Sequence, residues 1–216
     1  AMQSALSISN DPKQVTYGET LTLKTSGGTG EGAVTYKTLS GGTGAAEIEG
    51  AVLTPKKAGT VIVRATKAGD ATHNEVVSDP VTFTINKATH AAVNHKETAK
   101  QGEAYQCDLQ GELNLQGFAF HTPTVTKGEG LFAVKPNFDS KTEKLAFQFN
   151  DDAKVGETAT ITVKVNESAN YNEFIVTIEV TVAQKSSGSS SGGSYYPYTP
   201  STPSKPSAPS LDKTKT

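Results

Sequence analysis

One stretch decides the fold class: Phe174-Ile175-Val176-Thr177-Ile178-Glu179-Val180-Thr181-Val182. Its apolar and polar side chains alternate with a period of two residues. The positions that share the more apolar face are Phe174, Val176, Ile178, Val180 and Val182. Successive side chains of a β-strand point to opposite faces of the sheet, so this pattern predicts a strand with one buried and one solvated face.

The same alternation recurs along the chain, in residues 20–24, 60–65, 80–85 and 160–165. Glycine-rich turns punctuate these runs, and we find no capped helical pattern of about 10–15 residues. Short strands between regular turns indicate an antiparallel sandwich. We therefore predict an all-β chain of two tandem immunoglobulin-like β-sandwich domains, with two separate, helix-free cores.

The chain also repeats itself at long range. Gly18-Glu19 matches Gly102-Glu103, each before a strand-like run, and Ala71-Thr72-His73-Asn74-Glu75 matches Ala169-Asn170-Tyr171-Asn172-Glu173. A repeat of about 90 residues predicts whole domains in series. We place the first domain at 1–87 and the second at 88–184, which leaves almost no linker and favours an elongated rod. Extra residues in the second copy predict longer middle strands.

The composition changes near residue 185. Residues 186–194 contain only Ser and Gly, and prolines then recur at every third position. That spacing matches polyproline II, which has three residues per turn. The segment lacks the apolar side chains that a core needs. We predict that 185–216 is a disordered linker, semi-rigid in its proline-rich part.

Composition excludes several function classes. The formal net charge of -2 does not favour nucleic acid or an anionic membrane. No apolar run approaches the roughly 18 residues of a membrane span. Cys107 is the single cysteine, so it has no internal disulfide partner. Because Tyr105, Cys107 and Leu109 alternate with polar neighbours, we interpret the thiol as a buried small apolar group.

No motif indicates catalysis or a cofactor. The histidines are His73, His90, His95 and His121; they are scattered, and His90 and His95 are expected on opposite strand faces, so we predict no metal site. The run 150–152 is interpreted as a solvated turn, with weak calcium binding as the alternative. No nucleophile motif precedes a helix, and Cys107 has no basic setting that would activate it. We predict a chain that is not an enzyme and has no catalytic residues.

Two further kinds of chemistry stay open, a sugar-binding surface and a cross-link inside a core. A sugar platform needs exposed aromatic rings, whereas Phe83, Phe147, Phe149 and Phe174 are expected in the core. The aromatic residues that could reach the surface are Tyr17, Tyr36, Phe118, Phe120 and Tyr171, with Tyr195, Tyr196 and Tyr198 clustered in the tail. A Lys–Asn cross-link inside a core would need a nearby acid, and we find no convincing buried triple.

Residues 17–23, 53–61 and 65–70 together resemble the bacterial immunoglobulin-like and MBG-type repeats of secreted and surface proteins. The stretch 86–89 is similar to the junction between such repeats. The resemblance covers residues 5–89 and, more weakly, 154–183.

This resemblance implies a stalk, spacer or adhesive module outside the cell, on the surface or in the cell wall, without catalytic residues. The opening Ala1-Met2 and the tail lead us to expect a fragment of a longer Gram-positive surface protein, attached to the wall by a module beyond this chain. We expect a monomer without nucleic-acid partners. The alternative is an adhesin that recognises a host protein or glycan through loops of the second domain, at about 110–145.

Overall fold

A computed structural model describes residues 1–186, and the predictions for the tail at 187–216 lie outside this part. Residues 1–185 form one compact unit. Its regular secondary structure is almost entirely β-strand, arranged in two β-sandwiches that follow each other along the chain. Within the described residues, no helix has the length and apolar character needed to cross a membrane.

The first sandwich contains ten short strand segments. These are β1 (Ser7–Ile8), β2 (Gln14–Thr16), β3 (Leu21–Thr22), β4 (Thr25–Ser26), β5 (Val34–Leu39), β6 (Ala45–Glu49), β7 (Val52–Lys57), β8 (Gly59–Lys67), β9 (Val76–Val77) and β10 (Val81–Asn86). One sheet has the order β2-β10-β8-β5, with β9 also paired to β8. The facing sheet has the order β3-β7-β6, and β1 pairs with β4 beside it.

The second sandwich repeats this plan with longer outer strands and one helix. Its elements are β11 (Val93–Lys100), β12 (Ala104–Cys107), α1 (Leu109–Glu112), β13 (Thr124–Lys127), a 3-10 turn (Glu129–Leu131), β14 (Phe132–Phe138), β15 (Leu145–Phe149), β16 (Thr158–Val165) and β17 (Phe174–Ala183). The sheet orders are β11-β17-β16-β13 and β12-β15-β14.

The two sandwiches share an immunoglobulin-like strand order. In each, a long strand pairs antiparallel with the last strand of the larger sheet (β8 with β10, β16 with β17), and an early strand lies parallel to that last strand. The repeat predicted from the sequence is thus structural: Gly18 and Gly102 both have positive φ, 89° and 63°, in the turn before the matching strands β3 and β12. Only glycine adopts such angles without strain.

The cores confirm the alternation on which the fold prediction depends. Phe174, Val176, Ile178, Val180 and Val182 are all buried, as predicted. The first core gathers buried residues between positions 6 and 85, and the second gathers buried residues between 99 and 182. The two cores are separate clusters, which agrees with two sandwiches in series.

Two expectations about the second sandwich are wrong. Its core is not free of helix, because α1 contributes the buried Leu109. Its middle strands are not longer as a set, since β13, β14 and β15 have 4, 7 and 5 residues against 6, 5 and 6 in β5, β6 and β7. The extra residues lie at 108–123, where α1 and the following loop join β12 to β13.

Two isoleucines of β17 test the burial pattern. Ile178 is fully buried, whereas Ile175 is 52% exposed on the same strand. We expect Ile178→Ala to lower the free energy of unfolding by about 2–5 kcal/mol, because it leaves a cavity. Ile175→Ala, the matched control, should cost less than about 1 kcal/mol. Urea unfolding measures both, and equal losses would contradict the assignment of the two faces.

Candidate functional site

The connection between the sandwiches is hydrogen-bonded along its backbone. Residues 87–92 join β10 to β11. The Ala88 N–H donates to the carbonyl oxygen of Asn170 at 2.8 Å, and the Ala88 carbonyl accepts from the Asn172 N–H at 2.9 Å. The connection is therefore held against the loop between β16 and β17, which belongs to the second sandwich.

The Asn170 side chain reaches back to the first sandwich. Its Oδ1 accepts from the Ala58 N–H at 3.0 Å, and its Nδ2 donates to the Lys56 carbonyl at 3.5 Å. Both partners lie where β7 turns into β8. One side chain thus satisfies a donor and an acceptor of the other sandwich, which fixes orientation better than a single contact would. We use the name junction for two sets of contacts. One set joins Asn170 and Tyr171 to the first sandwich, and the other joins Ala88 of the connection to the loop between β16 and β17.

Aromatic rings pack around the junction. Tyr17 of the first sandwich meets Tyr171 edge-to-face, with ring centroids 5.6 Å apart and planes at 76°. Tyr171 also lies 5.8 Å from His90 and 5.8 Å from Phe118, and His90 stacks on Phe174 at 4.2 Å. Edge-to-face pairs contribute about 0.5–1.5 kcal/mol beyond their area. Two residues considered for a sugar platform, Tyr17 and Tyr171, therefore pack against each other at the junction, and Phe118 packs against Tyr171.

A separate aromatic cleft lies in the second sandwich. Phe120 and Phe138 stack with centroids 5.5 Å apart and planes at 21°. They line a cleft of about 510 Å³ together with Gln110, Gly117, Phe118, Ala119, Asp139, Ser140 and Glu143. This cleft falls in the span 110–145, where the sequence placed an alternative binding surface.

Four chemically reactive side chains meet at one edge of the second sandwich. His95, Glu97, Cys107 and Glu112 bring their ligand atoms within 4.8 Å of one another. His95 Nε2 lies 2.5 Å from Glu97 Oε1 and 3.6 Å from Glu112 Oε2. The Cys107 Sγ–H donates to Glu112 Oε2 at 3.4 Å. We call these four residues the edge cluster.

Topology explains how the edge cluster forms. β11 is the edge strand of one sheet and β12 is the edge strand of the other. His95 and Glu97 are two apart on β11 and so share a face. Cys107 ends β12, and α1, which starts two residues later, carries Glu112 back over the thiol. The cluster therefore spans both sheets.

The electrostatics of the edge cluster oppose a free thiolate. Burial and the neighbouring Glu112 carboxylate raise the pKa of the Cys107 thiol well above its ordinary value. Burial also opposes ionisation of Glu97, but hydrogen bonds from Tyr105 and His95 outweigh it and leave the pKa of that carboxyl below its usual value. Cys107 is 1% exposed, which confirms the prediction of a buried thiol.

The other residues considered from the sequence do not converge on a site. His73 binds the Asp70 carboxylate at 3.2 Å, and His121 is exposed. Asn150 donates to the Gly130 carbonyl, while Asp151 pairs with Lys185 at 2.6 Å.

Two further candidates concern the cores and the tail. Tyr36 is half-buried against the first core. The buried polar residues of the described part are Asn10 and Ser78, so neither core there contains a lysine for a Lys–Asn cross-link. The tail residues Tyr195, Tyr196 and Tyr198 lie outside the described residues.

Sequence reasoning missed the edge cluster because it compared histidines only with one another. One signal was present: His95 and Glu97 stand at the i, i+2 spacing that places two side chains on one strand face. The approach of β12 and α1 to that face depends on the packing of two sheets. No local pattern reports that approach.

The contact between Asn170 and Ala58 can be tested by the hydrogen exchange of a single backbone amide. In Asn170→Ala the Ala58 N–H loses its acceptor, so local opening becomes easier by about 1 kcal/mol and its hydrogen exchange speeds up about fivefold. Asn94→Ala, at an exposed position on β11, is the control and should leave this amide unchanged. Unaltered exchange at Ala58 in the Asn170 variant would show that the contact is not formed in solution.

No protein-family model matches the chain, and no curated protein does. Among solved structures, an endo-fucoidan hydrolase of glycoside hydrolase family 107 aligns with 84% of this chain at 11% identity and a TM-score of 0.32, and the chain spans 29% of its length. Human protocadherin-24 EC1-2 aligns with 85% of this chain, over 100% of its own, at 10% identity and a TM-score of 0.30. Drosophila N-cadherin EC1-4 aligns with 83% of this chain and 51% of its own, at 12% identity and a TM-score of 0.27. The fold assignment therefore depends on the strand order and the two cores described above.

Proposed function

We propose that this chain is a non-catalytic spacer of an extracellular surface protein, with domains at 1–87 and 88–184. The observation that carries the proposal is the junction, where the connection itself is hydrogen-bonded and no free linker separates the sandwiches. A spacer must transmit position and load from one module to the next. Residues 185–216 would continue the chain toward a wall-anchoring module.

Several weak contacts act together at the junction. The two bonds of the Asn170 side chain and the Tyr17–Tyr171 ring contact break if the sandwiches bend apart. The backbone bonds at Ala88 hold the connection against the second sandwich and so keep it short. The Lys87–Glu167 ion pair at 3.0 Å adds little, because Glu167 is 69% exposed. Contacts of about 1 kcal/mol each are sufficient, when combined, to favour one arrangement strongly.

The chemistry of the described residues supports a non-catalytic role. The nearest approach to a nucleophile beside a base is Cys107 with His95 in the edge cluster. An activated thiol needs a lowered pKa and access to solvent. Cys107 has a raised pKa and is 1% exposed, which is the opposite setting.

Small-angle scattering tests the spacer. We compare the chain with a variant carrying a six-residue Gly-Ser insertion between Lys87 and Ala88. The matched control carries the same insertion between Ser140 and Lys141, in an exposed turn. We expect one arrangement of the sandwiches to fit the scattering curves of the natural chain and of the control. The curve of the variant with the insertion at the junction should require a broad ensemble of arrangements. If the natural chain already needs that ensemble, the spacer proposal is wrong.

The aromatic cleft favours a second candidate function, recognition of a glycan. The stacked Phe120 and Phe138 offer ring surface for sugar C–H groups, and Asp139 and Glu143 at the cleft supply carboxylate acceptors for sugar hydroxyls. This candidate keeps the same fold and the same junction. It adds a ligand to the second sandwich.

A glycan array tests this candidate. We expect the natural chain to bind a glycan. Binding should be lost in Phe120→Ala, which removes ring surface, and in Glu143→Gln, which removes only a charge. Glu157→Gln, exposed and outside the cleft, is the control and should bind normally. An array on which no glycan binds would rule out glycan recognition, and the spacer proposal would not be affected.

A further inference from the structure

The edge cluster offers a donor set of unusual composition for a spacer. It contains an imidazole nitrogen, a sulfur and two carboxylate oxygens within 4.8 Å of one another. Zinc accepts this mixture in tetrahedral sites, whereas calcium and magnesium prefer oxygen alone. We propose that His95, Glu97, Cys107 and Glu112 bind one zinc ion.

Two of the separations between ligand atoms match a tetrahedral ion as they stand. Bonds of about 2.0–2.3 Å to zinc place neighbouring ligand atoms about 3.3–3.7 Å apart. Cys107 Sγ lies 3.4 Å from Glu112 Oε2, and His95 Nε2 lies 3.6 Å from the same oxygen. The His95–Glu97 contact, at 2.5 Å, is a hydrogen bond that must open by about 1 Å to admit the ion.

Hydrogen bonds from outside the edge cluster orient both carboxylates. The Tyr105 hydroxyl donates to Glu97 Oε2, which leaves Oε1 facing His95. The Asp108 N–H donates to Glu112 Oε1 at 3.3 Å, which leaves Oε2 facing the thiol and the imidazole. Such outer partners are typical of metal ligands, because they fix the oxygen that coordinates.

Proton balance is simple at this site. Zinc binds a thiolate and a neutral imidazole, so the Cys107 S–H proton and any proton shared between His95 and Glu97 pass to water. With two carboxylates and one thiolate, the loaded site carries a net charge of about -1. Glu112, with a side chain that is 45% exposed, provides the route by which the ion enters.

The consequence is a structural clamp. Four protein ligands close the coordination sphere, which is the arrangement of structural and not catalytic zinc. The ligands come from β11 of one sheet, β12 of the other and α1 between them. Zinc would thus tie β11 of one sheet to β12 of the other. This inference does not depend on the spacer proposal.

The test uses the full chain, stripped with a chelator and titrated with zinc chloride in a calorimeter. We expect one ion per chain and a thermal midpoint that rises by about 5 °C or more at saturating zinc. Cobalt(II), titrated in place of zinc, should give a thiolate-to-metal absorption band. Cys107→Ser should abolish that band.

Isosteric variants separate binding from folding. Glu112→Gln and His95→Gln should each weaken zinc binding at least tenfold while circular dichroism stays native. The matched controls Glu157→Gln and His121→Gln, both exposed in the same sandwich, should bind as the natural chain does. Absence of saturable zinc binding, or equal binding by the cluster variants and the controls, would overturn the proposal.

Discussion

The contact of Asn170 and Tyr171 with the first sandwich is the constraint on which the behaviour of the whole chain depends. Each sandwich has its own core, so the hydrophobic effect stabilises each one separately. What holds one against the other is a small set of directional contacts, namely the bonds of the Asn170 side chain to Ala58 and Lys56 and the edge-to-face contact of Tyr171 with Tyr17. Directional bonds fix orientation, whereas apolar burial alone does not. The chain therefore combines two independent cores with one specific joint.

Much of the fold follows from residues that are close in sequence. The alternation from Phe174 to Val182 specifies both the strand β17 and its buried face, because a shift of one residue would turn every buried side chain of the strand outward. Gly18 and Gly102 mark equivalent turns, and the repeat spacing identifies two copies of one plan. These features need no knowledge of the partner strands.

The rest depends on contacts between distant residues. Leu109-Gln110-Gly111-Glu112 is too short for a helical period, so α1 is held by the Asp108 cap and by burial of Leu109. The edge cluster forms only when the sheet that contains β11 packs against the sheet that contains β12. Tyr17 and Tyr171 come into contact only when both sandwiches have formed, although the sequence indicates that each could reach the surface. The sequence contained the residues of these sites, but their juxtaposition is a tertiary property.

The junction is expected to make the two sandwiches move as one body. Backbone ¹⁵N relaxation over residues 1–186 measures this most directly, because it reports the rotational diffusion of each sandwich. A rigid junction predicts that amides of both sandwiches fit one diffusion tensor with the orientation seen here. Two tensors with different correlation times would contradict the account.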